Sequence, residues 1–180
     1  MGGELRTKAL VAVLVSLVFM IIYIWFRFEL TFGLMAIFAL FHDVFIIVGI
    51  FALTGKEITV QIIAALLTIV GYSINDTIVI FDRIREDLKV YRKDTIPVVF
   101  DRAINKTLSR TTITSATTLF CALALYFFGG SVLHDFAFAI SLGIFFGTFS
   151  SIFVASNLVV DLNLITHKEK QTMQALIKKK

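Results

Sequence analysis

The chain of 180 residues has one cysteine, one proline, ten glycines and only 17% charged residues. One thiol, Cys121, inside an apolar run, can build neither a disulfide framework nor a cysteine-based zinc site, so it reads as a packing residue. With Pro97 as the sole proline there is little material for a proline-rich linker or long irregular loops. No phosphate-cradling glycine loop, metal-ligand spacing or nucleophile triad stands out, so neither an enzyme, a metal centre nor a cofactor is expected. What is abundant is apolar surface: 58% of residues are hydrophobic and 19 are phenylalanine. A soluble domain is about half apolar and about a quarter charged, so this excess requires lipid. The net charge of +4 sits beside hydrophobic segments, where it orients a membrane protein, and nucleic acid is not the expected partner.

A helix of about 20 apolar residues crosses the hydrocarbon layer, and unsatisfied backbone cannot face lipid. Five runs meet that length, at 9–26, 30–53, 58–81, 107–128 and 132–160, so the fold expected is an all-α integral membrane protein. The first run lacks a small-residue cleavage site and reads as a retained span. Residues 82–106 form the one sizeable polar region, read as a cytoplasmic loop because of its many Lys and Arg residues. Ile84, Leu88 and Tyr91 recur there at helical spacing, which suggests an amphipathic helix lying on the membrane or on the protein itself, with Pro97 as its interruption. A solvated connector accounts for the same charges. The basic tail, 167–180, then lies in the cytoplasm and the Gly129-Gly130-Ser131 turn outside. Counting back places the N-terminus outside, an arrangement natural for the remainder of a longer protein.

Several ionisable residues fall within the spans, where each costs about 2.5–3.5 kcal/mol unless paired or hydrated. Asn75 and Asp76 lie in the third run, Arg110 enters the fourth, and His42-Asp43 sits mid-span in the second. Asp76 and Arg110 are each about 18 residues, roughly 27 Å, from the outer ends of their runs, which makes an ion pair between them geometrically feasible. Tyr72, Ser73 and Thr77, with Ser109, Thr111, Thr112, Thr114, Ser115, Thr117 and Thr118, surround these charges with hydroxyls. Such faces suit a proton relay or plain interhelical hydrogen bonding, and the two are compatible. His42 is turned some 100° from Asp43 on a helix, so no dyad is implied, and His134-Asp135 reads as an interfacial, hydrated pair. Gly143 and Gly147 form a small-residue packing seam without an assigned partner, and Gly71 packs similarly or permits bending.

The run from Gly71 to Glu86, GYSINDTIVIFDRIRE, resembles the signature of the SecF family of bacterial protein translocation. Phe26-Arg27-Phe28-Glu29, His42-Asp43, Leu108-Ser109-Arg110-Thr111, Thr114-Ser115, Asp135-Phe136-Ala137 and Gly147 to Phe153 extend the resemblance over about nine tenths of the chain. It implies half of a resistance-nodulation-division type membrane domain, working with a SecD-like subunit and the Sec translocon channel on an unfolded polypeptide in transit. Protons would drive it across the bacterial cytoplasmic membrane, with membrane lipid around it and its C-terminus cytoplasmic. It also implies a role in proton passage for Asp76 and Arg110, with Asp43 and Asn75 as further candidates. Family members begin with one more span and an extracytoplasmic domain, so Met1 to Leu5 looks like an expression start or a truncation. Asn157 stands where the family usually has proline. Rival expectations are a half-transporter for small molecules and a structural scaffold.

Overall fold

The structure, a computed structural model, describes residues 2–28 and 30–162, and the basic tail considered above lies outside them. Five helices follow in order: α1 Gly2–Arg27, α2 Leu30–Leu53, α3 Val60–Val90, α4 Ile96–Phe128 and α5 Gly130–Phe149. The last runs on through a π-helical turn, Ser150–Ala155, to residue 162. Among the described residues no strand occurs. Four stretches are long and apolar enough to cross a membrane: Leu30–Leu53, Val60–Val90, Ile96–Phe128 and Gly130–Leu162. The apolar part of α1, Val11–Arg27, is shorter. Its outward side chains, Phe19, Trp25 and Phe26 among them, are largely exposed, as a face toward lipid would be.

The region read as a loop at 82–106 is mostly helix. α3 continues nine residues past Phe81, α4 begins at Ile96, and only 91–95 connect them. The reason is the spacing of Ile84 and Leu88, which turns an apolar stripe toward Phe100 and Ala103 of α4 despite the surrounding charge. Pro97 starts α4 rather than interrupting a helix: in the first turn its missing N–H is of no consequence. Asp87, only 3% exposed, fastens this hairpin by accepting two hydrogen bonds from Lys106 Nζ at 2.8 and 3.0 Å. Arg102 stacks on the Tyr91 ring at 4.1 Å and bonds Asp94 at 2.9 Å. At the opposite end the turn between α4 and α5 needs glycine. Gly130 has φ 73°, and a Cβ on Gly129 would strike the Leu125 carbonyl.

The interior has two apolar clusters. One, toward the α3–α4 connection, gathers Phe28, Phe32, Phe81, Ile84, Phe100, Ile152 and Val159, with Phe81 edge-on to Phe32 at 5.2 Å. The other, toward the opposite end, gathers Ile47, Phe51, Ile62, Ala65, Ile69 and Ala139. Along α2, α3 and α5 the residues between these clusters are polar: Asp43, then Ser73, Asp76 and Thr77, then Ser150 and Ser151, all buried. The fold therefore sets a polar layer across its middle.

Candidate functional site

α3 is the axis of the site, because residues 73, 76 and 77 turn in different directions from one helix. Ser73 meets α2: its hydroxyl donates to Asp43 Oδ2 at 2.7 Å. Asp76 meets α4: Ser115 Oγ donates to Asp76 Oδ2 at 3.3 Å, a long bond for a hydroxyl and a carboxylate. Thr77 meets the π turn, with its hydroxyl 2.8 Å from that of Ser151. Asp43 and Asp76 are 1% and 4% exposed. For an ionised carboxylate at membrane depth these are few donors, so both groups interact very differently with their surroundings in their two charge states.

Ser115 is the hub on the Asp76 side. It accepts from Tyr72 Oη at 3.2 Å and from Thr148 Oγ1 at 2.7 Å while donating to Asp76. One donor and two acceptor positions are all a hydroxyl has, so Ser115 is saturated and its proton is directed at the carboxylate. Ser115 and Thr148 also line a crevice of about 290 Å³ between α4 and α5, otherwise walled mainly by Leu119, Ile144, Phe145 and Phe149. A second cavity of about 250 Å³ between α1, α2 and α3 has a wholly apolar lining and no group for a hydrophilic ligand.

The expected ion pair between Asp76 and Arg110 is not formed. Arg110 is exposed and, among the described residues, has no carboxylate within 4.0 Å. Counting residues from the run ends misjudged the level. α4 packs so that Ser115 sits at Asp76, and Arg110, five residues earlier, is displaced by about 7.5 Å toward the hairpin. Asn75 lies on the exposed side of α3. His42 Nδ1 approaches Asp43 Oδ1 to 3.4 Å, closer than their separation of about 100° on the helix implied. Asp135, expected to be merely hydrated, pairs with Lys56 and lies 3.3 Å from His134 Nδ1.

The small-residue seam acquires a partner. Gly143 lies against Ile69, and Gly147 lies against Ser73, so α5 approaches α3 closely beside the polar layer. Gly71 has open space where a side chain would be and makes no such contact. Sequence reasoning grouped Ser115 with the other hydroxyls without singling it out, and it overlooked Thr148. Their signal was positional only, since Ser115 falls on the α4 face buried against α3.

Helices long and apolar enough to cross a bilayer, with two buried carboxylates in a hydroxyl-rich layer between them, define a multi-pass membrane protein with a polar interior. Residues 1–164 match the family described as protein export membrane protein SecD/SecF, C-terminal. The chain is 57% identical over 159 residues to the protein translocase subunit SecDF of Thermus thermophilus, covering 88% of this chain and 22% of that one. It is 51% identical over 162 residues to the protein translocase subunit SecF of Desulfurispirillum indicum, covering 88% of this chain and 52% of that one. A crystal structure of SecDF in a super-membrane-facing form superposes with a TM-score of 0.89 at 52% identity, over 96% of this chain and 24% of that one. The chain belongs to the SecD/SecF family of protein export membrane proteins, and it spans about half the length of the SecF relative.

Proposed function

We propose that this chain is the membrane-embedded, SecF-like part of an accessory subunit of the Sec protein translocase, which couples proton movement to protein export across the bacterial cytoplasmic membrane. It is a transport component and not an enzyme. Its partners are a SecD-like subunit, the Sec channel and the unfolded polypeptide in transit. In this reading the α3–α4 hairpin, rich in Lys and Arg, lies in the cytoplasm, and the chain ends there.

The observation that supports this most is the Asp76 carboxylate, buried and facing a single saturated hydroxyl hub in a protein of this family. Proton passage by Asp76 needs a donor chain and a way to stabilise both charge states. Ser115, Thr148 and Tyr72 supply the first, and the charge of Arg110 nearer the hairpin contributes to the second. Asp43, linked to α3 through Ser73, is a further carboxylate on the pathway, and Asn75 flanks Asp76 from the exposed side.

The test is proton-gradient-dependent preprotein translocation in vesicles containing SecD and the full-length protein, comparing wild type with Asp76→Asn at matched assembly. Gradient dependence is expected to vanish in Asp76→Asn while assembly persists. Unchanged coupling would remove Asp76 from the mechanism.

A further inference from the structure

We propose that Ser150, on the π turn of the last helix, is the positioning residue that serves both protonation states of Asp43. The proposal rests on the reading of Asp43 as a proton-pathway carboxylate. It starts from an unused hydroxyl. Ser150 is 0% exposed and its hydroxyl lies within reach of the Asp43 carboxyl, but its Oγ stands in hydrogen-bond geometry with no group among the described residues.

Several helical hydroxyls elsewhere in this protein donate to the carbonyl one turn back, as Thr114 does to Arg110 O at 2.7 Å, Thr118 to Thr114 O at 2.8 Å and Ser141 to Ala137 O at 2.8 Å, whereas Ser150 and the buried Thr111 do not. That local bond is open to almost any helical serine. Ser150 does not make it, and a buried polar group left without a partner costs about 1–3 kcal/mol. Isolated π turns inside α-helices recur at functional sites, and this one starts at Ser150. The neighbouring Gly147 lies close to the same carboxylate: a Cβ there would come to 3.2 Å from the Ser73 side chain and 3.6 Å from Asp43 Oδ2.

A hydroxyl next to a carboxyl group can serve both charge states by rotation. When Asp43 is ionised, Ser150 Oγ–H donates to it beside Ser73. When Asp43 holds a proton, its O–H donates to Ser150 Oγ, and the serine hydrogen is free to turn to a backbone carbonyl of the π turn. No heavy atom needs to leave the site, and the proton count is one on Asp43 or none. The π turn that carries Ser150 is held against α3, because the adjacent Ser151 bonds both Thr77 and the Ser73 carbonyl, at 2.8 and 3.3 Å. The groups facing Asp43 are few. His42 on its own helix is titratable, α3 offers the Ser73 hydroxyl, and α5 offers the Ser150 hydroxyl, with no charged group from either of the last two.

The experiment follows the carboxyl C=O infrared band of Asp43 against pH in the full-length protein reconstituted in lipid vesicles, on an Asp76→Asn background. Asp43→Asn in the same background assigns the band. Ser150→Ala removes one donor to the ionised carboxylate, which favours the protonated form, so the band's midpoint is expected to move up by about one pH unit. Ser156→Ala is the control. Ser156 is equally buried on the same helix, but its hydroxyl donates to the Ser151 carbonyl at 3.1 Å and does not face Asp43, so its midpoint shift is expected to stay below about 0.3 unit. If Ser150→Ala does not assemble, Ser150→Cys keeps nearly the same size with a weaker donor and is expected to give a smaller upward shift. An unchanged midpoint in the Ser150 variants, equal shifts in the Ser150 and Ser156 variants, or the lack of any titrating Asp43 band each overturns the proposal. Because the readout is the carboxyl group itself, it stays interpretable even if Asp76 proves irrelevant to export.

Discussion

Replacing Gly143 by alanine tests how tightly α5 is set against α3. An alanine Cβ at this position would run into Cγ1, Cγ2 and Cδ1 of Ile69 all at once. Ile69 is 1% exposed and β-branched, so it has no low-energy rotamer that swings all three carbons away. Overpacking of this kind costs about 1–3 kcal/mol, while alanine in place of glycine in a helix returns up to about 1 kcal/mol. The net expectation for Gly143→Ala is a loss of about 1–2 kcal/mol. Gly71→Ala is the internal reference, since nothing lies within 4 Å of its Cβ position. There the helix term acts alone, and a gain of about 0.5–1 kcal/mol is expected. The assay is denaturant unfolding in detergent micelles followed by circular dichroism, with Ile69→Ala added to complete a double-mutant cycle. With the isoleucine truncated, Gly143→Ala should cost nothing further. A neutral Gly143→Ala, or a Gly71→Ala that destabilises as much, would refute the close approach of the two helices.

Two further expectations concern buried charge. Lys106→Met strips Asp87 of its main partner, leaving only Arg83 Nε at 3.4 Å among the described residues, and is expected to destabilise the protein by about 1–3 kcal/mol. Adding Asp87→Asn should recover most of that loss in the same unfolding assay. Ser115→Ala removes the only hydrogen-bond donor to Asp76 among the described residues, which favours the protonated carboxyl. The midpoint of the pH dependence of gradient-driven export is therefore expected to move to higher pH, while Ser115→Thr, which keeps the hydroxyl, should stay close to wild type.

The helical membrane fold was legible because hydrophobic length is a local property: the runs at 30–53 and 132–160 coincide with α2 and with α5 and its continuation to within a few residues. The extent of α3 and α4 was not legible in the same way. Their last and first ten residues or so, Phe81–Val90 and Ile96–Asn105, are charged enough to read as loop; the helical spacing of Ile84 and Leu88 was visible, but not that it continues α3 and packs on α4. Gly143 and Gly147 declared a close contact by their spacing, but the identity of the partner, α3, is a tertiary fact. Asp43 and Asp76 stood out by charge alone. What surrounds them did not, because depth counted along two runs carries an error of several residues, enough to exchange Ser115 for Arg110. The π turn has no local signature: Ser150 and Ser151 are ordinary helix residues until the hydroxyl layer they enter is known.

The rigid hairpin of α3 and α4 has a mechanical consequence. With 31 residues α3 is about 46 Å long, against a hydrocarbon layer of about 30 Å, so roughly a third of it stands clear of the membrane. Asp87, Lys106, Tyr91 and Arg102 bind the two protruding ends into one stiff body. Such a body is a lever. A tilt of about 10° at the far membrane face would sweep its tip through about 8 Å, so an adjustment of less than one side-chain width around the buried carboxylates is delivered to the aqueous side as a displacement large enough to push on a neighbouring protein.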